Sequence, residues 1–522
     1  MSAVLKIEDN HLQFKPDFDK DTITQLKFLG MRWAPAKKHW YAKITKIFVG
    51  NFLSIFPEFI WDLRGYAPII SPNSQWTPSS YLMDHQKSMA ETALTIPRYL
   101  IYHDIGVGKT IIGIELVKQK QAKTLVTCPL SIIEDAWMED IKKFAPEINA
   151  VNLWKAKKNR QLNFALTLDF HVAIINFESF RTEAKQLAQA GFQMLIIDES
   201  SKCRDARSQI TKALIEFSEN MDYIYELSGN PAPNSEMEYF SQARMVDPML
   251  FGRSFFAFRN KYFYSFGYGN FQWKMKEDKR KEFLDKLASI SEVVRREDVL
   301  DLPGKTLNIR KVFLTTIERK VYETMKRDLV IEFAGMEVVA ANAAVKQMKL
   351  REGTSGFYLD ENKKAVIVGQ SKLNELKELL EEIGDHQVAI WTHFHYEADI
   401  VEKLLGKKCG RVDGTIKNQD VKHSIVRDWK DGKLQYLIAH PDSFGHGHTW
   451  INCFYIIYFS LSHSWDLFYQ SMGRFERKGQ TNKCTYYFLI ADCSVDEVIW
   501  VALQAKKSVS QAVFDYIKGK KK

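Results

Sequence analysis

The segment Asp104-Ile-Gly-Val-Gly-Lys-Thr110 combines two glycines, a lysine and a hydroxyl within seven residues. Gly106 and Gly108, with Val107 between them, let backbone N–H groups approach phosphate oxygens, and a following helix adds its positive end. Lys109 would then reach the terminal phosphates, while Thr110 would hold its hydroxyl on Mg2+. The full phosphate-loop pattern would place another glycine at position 103, where this chain has His103. The segment alone is therefore weak, and its companions decide the reading.

The first companion is Asp198-Glu199, directly after the apolar Met194-Leu-Ile-Ile197. At the carboxyl end of a strand, Asp198 would hold the Mg2+ shell and Glu199 would orient or deprotonate an attacking water. The second is Gln470-Ser-Met-Gly-Arg474-Phe-Glu-Arg477-Lys-Gly-Gln480. Arginines three apart are expected on one helix face, and a guanidinium from a second domain can stabilise a transferring phosphoryl group. Either feature alone is commonplace on a solvated surface. Together with the loop they complete the roles that phosphoryl transfer requires.

These residues need a scaffold that holds them at strand ends. Tyr99-Leu-Ile-Tyr102 before the loop and the apolar spacing of Ile111 to Lys118 after it predict strand, loop and helix. Short apolar runs alternate with helical segments from Tyr99 onward, and again from Val388-Ala-Ile-Trp391 through Tyr436 to Ala439, Phe454 to Phe459 and Tyr486 to Ile490. That pattern predicts an α/β fold with two tandem domains built on parallel sheets. The predicted domains are 81–310 and 311–522, after a small α+β domain at 1–66 and a Pro/Ser/Asn-rich linker at 67–80. The stretch from about 235 to 380 reads as helical and charged, with an aromatic segment, Phe255 to Trp273, that shows no period.

Composition sets the limits. A chain of 522 residues exceeds one ordinary core, and 45% hydrophobic with 26% charged residues is typical of folded globular proteins. Lys and Arg (73) exceed Asp and Glu (64) by nine, a modest bias toward polyanionic partners. Six scattered cysteines, without C-x-x-C spacing, predict a reduced protein with no metal site other than Mg2+. No basic segment leads into an apolar stretch near the start and no run is long enough to span a membrane, so secretion is not expected. The expected location is the cytoplasm of a bacterium or virus-infected host cell, or the nucleus of a eukaryote.

In order along 80–510, these segments resemble superfamily-two helicases, and among them the Swi/Snf-type translocases of double-stranded DNA. The resemblance includes His85-Gln86, Cys128-Pro-Leu-Ser131 with Trp137 and Glu139, Ile175-Asn-Phe-Glu178 and Leu227-Ser-Gly-Asn-Pro231. It continues with Arg295-Arg296 and Leu302-Pro303, Arg411-Val-Asp-Gly414, Phe444-Gly-His-Gly447, the 470–480 stretch, and Ser494-Val-Asp-Glu497. It implies two RecA-like domains, ATP and Mg2+ as cofactors, Lys109, Asp198, Glu199, Arg474 and Arg477 as catalytic residues, and DNA as partner. Gln86, Asp104, Gln470 and the loop residues would hold ATP, and Ser131 and Thr392 would touch DNA. Departures stand at Asp198-Glu-Ser-Ser for D-E-A-H, at Asn230 for threonine, and at His448-Thr-Trp450 for N-L.

The first 66 residues are similar to the HARP module of annealing helicases, through Gly30-Met-Arg-Trp33-Ala-Pro35 and Lys38-His-Trp40. Trp33, Trp40 and Tyr41 beside Arg32, Lys37 and Lys38 would stack on bases and neutralise phosphates, or the tryptophans would form the small domain's own core, and both can hold together. The resemblance implies a motor on duplex, forked or branched DNA. Its competitors are an ATP-gated scaffold without turnover and an RNA-directed helicase.

Overall fold

The computed structural model describes the chain except residues 1–2, 17–18, 64, 68–75, 268–271, 335–339, 363, 444–448 and 522. Most of the expected linker and the Phe444-Gly-His-Gly447 motif lie outside the described residues. Two compact units are present: 1–299 with 509–522, and 300–508. The division falls before Leu300 and not at 310/311, because the strand Lys305–Val312 pairs along its whole length with Cys484–Ala491 of the second unit.

The first unit is built on seven parallel strands in the order Ser291–Val294, Arg98–His103, Tyr223–Ser228, Met194–Asp198, Thr124–Cys128, Val172–Asn176, Ala150–Asn152. The residues of the five inner strands are almost all buried, as continuous apolar runs covered by helices on both faces must be. One core layer gathers Leu100, Tyr102, Leu195 and Ile197; the other gathers Tyr99, Ile101, Ile196 and Trp137. Alternate residues of the same strands thus face opposite layers.

The second unit carries six parallel strands in the order Lys305–Val312, Cys484–Ala491, Tyr455–Tyr458, Val388–Trp391, Tyr436–Ala439, Cys409–Val412. The expected α/β fold with two RecA-like parallel-sheet domains is therefore observed. The unreadable aromatic segment resolves into a helix, Phe255–Tyr262, and a hairpin pairing Phe263–Phe266 with Gln272–Met275. Its rings pack on Phe283 of the helix Glu277–Ser289, which is why no single period governs it.

The small N-terminal α+β part pairs Val4–Glu8, His11–Lys15, His39–Lys43 and Arg32–Ala34 in one antiparallel sheet. Helices Lys20–Phe28 and Lys46–Ile55 start at Asp19 and Thr45, whose side chains accept backbone N–H groups of the first turn. This part is fastened to the larger sheet domain. Lys46 pairs at 2.7 Å with the fully buried Asp222, and the Ile47 N–H donates to the Glu219 carbonyl at 3.1 Å.

The last residues of the chain complete the first unit's core. Val513, Phe514 and Ile517 are buried there, with Phe514 stacked on Tyr102 at 6.3 Å. Phe514→Ala is expected to destabilise this unit by about 3 kcal/mol through the cavity it leaves. Val509→Ala, at a residue 38% exposed, should cost under about 0.5 kcal/mol. Denaturant unfolding of the two variants against wild type checks the difference.

Candidate active site

Three neighbouring strands define the site. Tyr223–Ser228 lies between Arg98–His103 and Met194–Asp198, so the loops at their carboxyl ends stand side by side. The phosphate loop follows the first strand, the acidic pair ends the third, and Gly229-Asn230 leaves the middle one. The contact is close: a Cβ on Gly229 would lie 3.2 Å from the Ile105 nitrogen and 3.3 Å from the His103 oxygen. The backbone of the middle loop therefore touches the start of the phosphate loop.

Lys109 opens the helix Lys109–Lys120, whose N-cap is Gly108 at φ 86°, a left-handed conformation that favours glycine. Its buried ammonium donates to the carbonyls of His103 (3.2 Å) and Asp104 (3.4 Å), curling back over its own loop. Gln86 closes the other side. Its amide donates to the Val107 carbonyl at 3.1 Å, and a Cβ on Gly108 would lie 2.1 Å from it. His85 also contacts the Val107 oxygen at 3.0 Å. Asp104 accepts from the Arg296 backbone N–H at 3.1 Å, which ties the loop to the segment after the edge strand Ser291–Val294. His103, fully buried in place of the glycine of the loop pattern, is held neutral by desolvation and by Lys109.

Asp198 is buried at the strand end. Its Oδ2 accepts the Trp137 indole N–H at 2.9 Å and its Oδ1 accepts the Glu199 N–H at 3.0 Å. Burial and the adjacent Glu199 push its carboxyl up to about 6, against the pull of Lys109 and the Trp137 bond. Glu199 takes a left-handed backbone, φ 59°, which is uncommon for a residue with a side chain. Thr110 is half-buried beside Lys109. The loop, Asp198 and Glu199 can thus hold a nucleotide polyphosphate with Mg2+, through Thr110 and Asp198, and a water on Glu199.

Two positioning contacts are set by packing: the sequence marks Trp137 by its resemblance but not for this contact, and it does not mark Gln242 at all. Trp137 sits in a π-helical turn, Ile133–Met138, and can reach Asp198 because Gly113 leaves room: a Cβ there would lie 2.6 Å from the indole. Gln242, on the helix Tyr239–Val246, accepts from Ser200 Oγ at 2.9 Å and donates to the Pro231 carbonyl at 2.9 Å. It links the acidic segment to the Leu227–Pro231 segment. The only signal was the departure of Ser200 from the usual alanine; a lone glutamine in a helix carries none.

In the second unit the helix Trp465–Met472 ends before the arginines, so Arg474 and Arg477 stand on the turn after it and not on one helix face. Arg474 is buried against Trp450 (5.2 Å) and Trp391 (5.9 Å), and burial with the nearby Arg477 pushes it down to about 9. Arg477 is less buried and donates to the Gly473 carbonyl and Thr449 Oγ1, both at 2.9 Å. Gln470 donates to Asp466 at 3.2 Å. Of the expected DNA contacts, Ser131 is half-buried on the loop after Thr124–Cys128, and Thr392 is 2% exposed, its N–H bonded to the Ala439 carbonyl. Lys38 is exposed. Trp40 is a core residue, so as a stacking surface it is corrected; Trp33, 46% exposed, leans on it at 5.6 Å.

The model of the SNF2-related domain matches residues 85–374, and that of the helicase conserved C-terminal domain matches 371–479. The chain belongs to the SNF2-related family. It is a helicase-like ATPase by that membership. Protein p41 of Acyrthosiphon pisum secondary endosymbiont phage 1 is 25% identical over 85% of this chain and 99% of its own length. The Caenorhabditis elegans homologue of SWI/SNF-related matrix-associated actin-dependent regulator of chromatin subfamily A-like protein 1 is 24% identical over 95% of this chain and 74% of its own. The SWI2/SNF2 ATPase core of Sulfolobus solfataricus, solved with dsDNA, is 19% identical, covers 86% of this chain and 95% of that one, and gives a TM-score of 0.39. Among the described residues no group of His, Cys, Asp and Glu forms a metal cluster, and no helix is long and apolar enough to cross a membrane.

The raised Asp198 carboxyl makes a pH dependence specific to this site. If Asp198 is a Mg2+ ligand, its ionised form would hold the metal, so metal affinity would be full above about pH 6 and lost as pH falls through it. Below that point the Mg2+ concentration for half-maximal hydrolysis should rise about tenfold per pH unit. Trp137→Phe removes a bond that favours the carboxylate and should move the acid limb to higher pH. Mg2+ titrations of hydrolysis across pH check both; coincident limbs would remove Trp137 from this role.

Proposed function

We propose that this protein is a DNA-dependent ATPase that translocates on duplex, forked or branched DNA. The observation that carries the reading is the lateral order of three strand ends. It sets Lys109, Asp198–Glu199 and the Leu227–Pro231 segment side by side in one unit. Residues 470–480 in the other unit add the arginines that a closing second domain would supply.

In this reading ATP-Mg2+ binds to Gly106, Gly108, Lys109 and Thr110, with Asp198 on the metal and Gln86 at the base. Lys109 exchanges its own-loop carbonyls for the phosphates. Glu199 aligns the attacking water, and Arg477, with Arg474 behind it, stabilises charge on the transferring phosphoryl group once the two domains close. Hydrolysis reopens the cleft, and alternate grip by the two domains moves the protein along the strand. DNA contact is mainly to phosphates, so binding is independent of sequence and weakens steeply with salt. Annealing, branch migration or fork remodelling is the proposed output, and its support is the N-terminal sheet domain that precedes the motor.

The test is ATP hydrolysis without polymer and with single-stranded, duplex and forked DNA and duplex RNA. Stimulation by duplex or forked DNA is expected. Lys109→Ala should lower it by at least about a hundredfold, the scale of losing one preorganised charge contact to the transition state. Arg477→Ala should lower kcat with little change in KM, as a group acting in the transition state does. Stimulation by RNA alone would replace the substrate, and absence of hydrolysis with every polymer would leave an ATP-gated binding protein.

A further inference from the structure

Strand register sorts the N-terminal sheet into two faces. Leu12, Phe14 and Trp40 point to the helices and form the core. The other face carries the partners of the remaining register: His11 opposite Lys43, and Tyr41 opposite both Gln13 and Arg32. His11, Arg32, Tyr41 and Lys43 therefore share one face, opposite the face to which Trp40 and the partly exposed Trp33 belong.

That face ends in a cavity of about 240 Å3, where the sheet meets the larger domain of the first unit. His11, Arg32, Tyr41 and Lys43 line it from the sheet, Glu219 and Arg253 from the other side. Glu219 is the one carboxylate on this lining, and it is already engaged by two guanidiniums, Arg244 at 2.8 Å and Arg253 at 3.3 Å. Arg244 is buried, and its second terminal nitrogen has no hydrogen-bond partner. Arg253 is wedged in place: a Cβ on Gly30, at φ 80°, would lie 2.9 Å from its Cδ. Lys43 has only a long, exposed pairing with Glu216 at 3.7 Å. The cavity therefore holds more positive charge than its carboxylate can neutralise, and burial beside Arg244 pushes the Arg253 guanidinium down. An anion placed there would relieve both.

We infer that this cavity binds a backbone phosphate of a nucleic-acid strand that runs across the Tyr41 face of the sheet. The inference rests on the DNA-dependent reading above and specifies where the N-terminal domain grips the polymer. A phosphate is the anion of suitable chemistry, because a guanidinium fork and an ammonium satisfy several of its oxygens at once. A polymer is favoured over a small ion by what adjoins the cavity. Tyr41 offers a ring beside His11, 6.2 Å away, on a sheet face that also presents Lys6 and Lys15, in register with Gln13 and Val4. Glu8, on the same face, is bonded by the Gln13 amide at 2.7 Å. Because the cavity is shared between the N-terminal sheet and the segment carrying Glu219 and Arg253, a bound strand would bridge the small domain and the ATP-binding domain.

The test uses the full chain and a fluorescent duplex and fork, with affinity measured over a range of salt concentrations. Arg32→Gln, Lys43→Gln and Arg253→Gln are compared with Lys20→Gln, an exposed charge on the helix Lys20–Phe28. Each of the first three should lower the slope of log affinity against log salt by about 0.9, the loss of one phosphate contact on duplex DNA. Lys20→Gln should leave it unchanged. Since Arg253→Gln also alters packing at Gly30, the Arg32 and Lys43 variants decide the matter. Slopes equal to wild type in both would overturn the inference while leaving DNA-dependent hydrolysis untouched. If the wild-type chain binds no DNA, the functional reading fails first. The cavity is then judged in a Lys109→Ala background by whether inorganic pyrophosphate raises the melting temperature and the added Arg32→Gln/Lys43→Gln pair removes that rise. No rise, or one the pair does not reduce, overturns it.

Discussion

The nucleotide chemistry of this chain depends on one constraint, the adjacency of three parallel strands. Because Tyr223–Ser228 pairs with both Arg98–His103 and Met194–Asp198, loops separated by about a hundred residues meet at one edge of the sheet. A parallel sheet buried on both faces permits this without cost in polar groups, since its backbone is satisfied by the ladder and only strand ends meet solvent. The approach of Gly229 to Ile105 and His103 shows how tight the arrangement is. A side chain at that glycine would separate the middle loop from the phosphate loop.

Within this frame, burial sets the charge states. Asp198 is drawn into a low-polarity setting that raises its carboxyl, and Trp137 and Lys109 pull it back. His103, desolvated and beside the Lys109 ammonium, stays neutral. Glu226, in the middle strand behind Ser200, is fully buried and pushed well above the carboxylate range by desolvation. His103 and Glu226 are thus kept uncharged inside the sheet, while charged groups stand at the strand ends, Lys46 with Asp222 at the amino end and Asp198–Glu199 at the carboxyl end. Arg474 follows the same logic in the second unit: two tryptophan rings replace the water around its guanidinium and give it a fixed orientation.

The N-terminal domain is coupled to this machinery by polar contacts, with Met249 of the larger domain packed against its core. Lys46 on Asp222 and Ile47 on Glu219 both reach the stretch just before the strand Tyr223–Ser228. The small sheet is therefore anchored at the amino end of the strand whose carboxyl end carries the Leu227–Pro231 segment.

The sequence alone determined the local parts. Glycines at 106 and 108 required a turn that only glycine adopts readily, apolar runs required buried strands, and Asp198-Glu199 after such a run had to lie at a strand end. Spacing encodes these because they are set by near neighbours in the chain. The tertiary structure decided what depends on partners far apart. Trp40 became core while Tyr41, one residue on, faced outward, because the pleat sends successive side chains to opposite faces and only pairing shows which is covered. Gln242 and Trp137 gained positioning roles because packing brings them to Ser200 and Asp198. The arginines of 470–480 left the helix because it ends at Met472, and burial against aromatic rings, which no spacing records, fixed the place of Arg474.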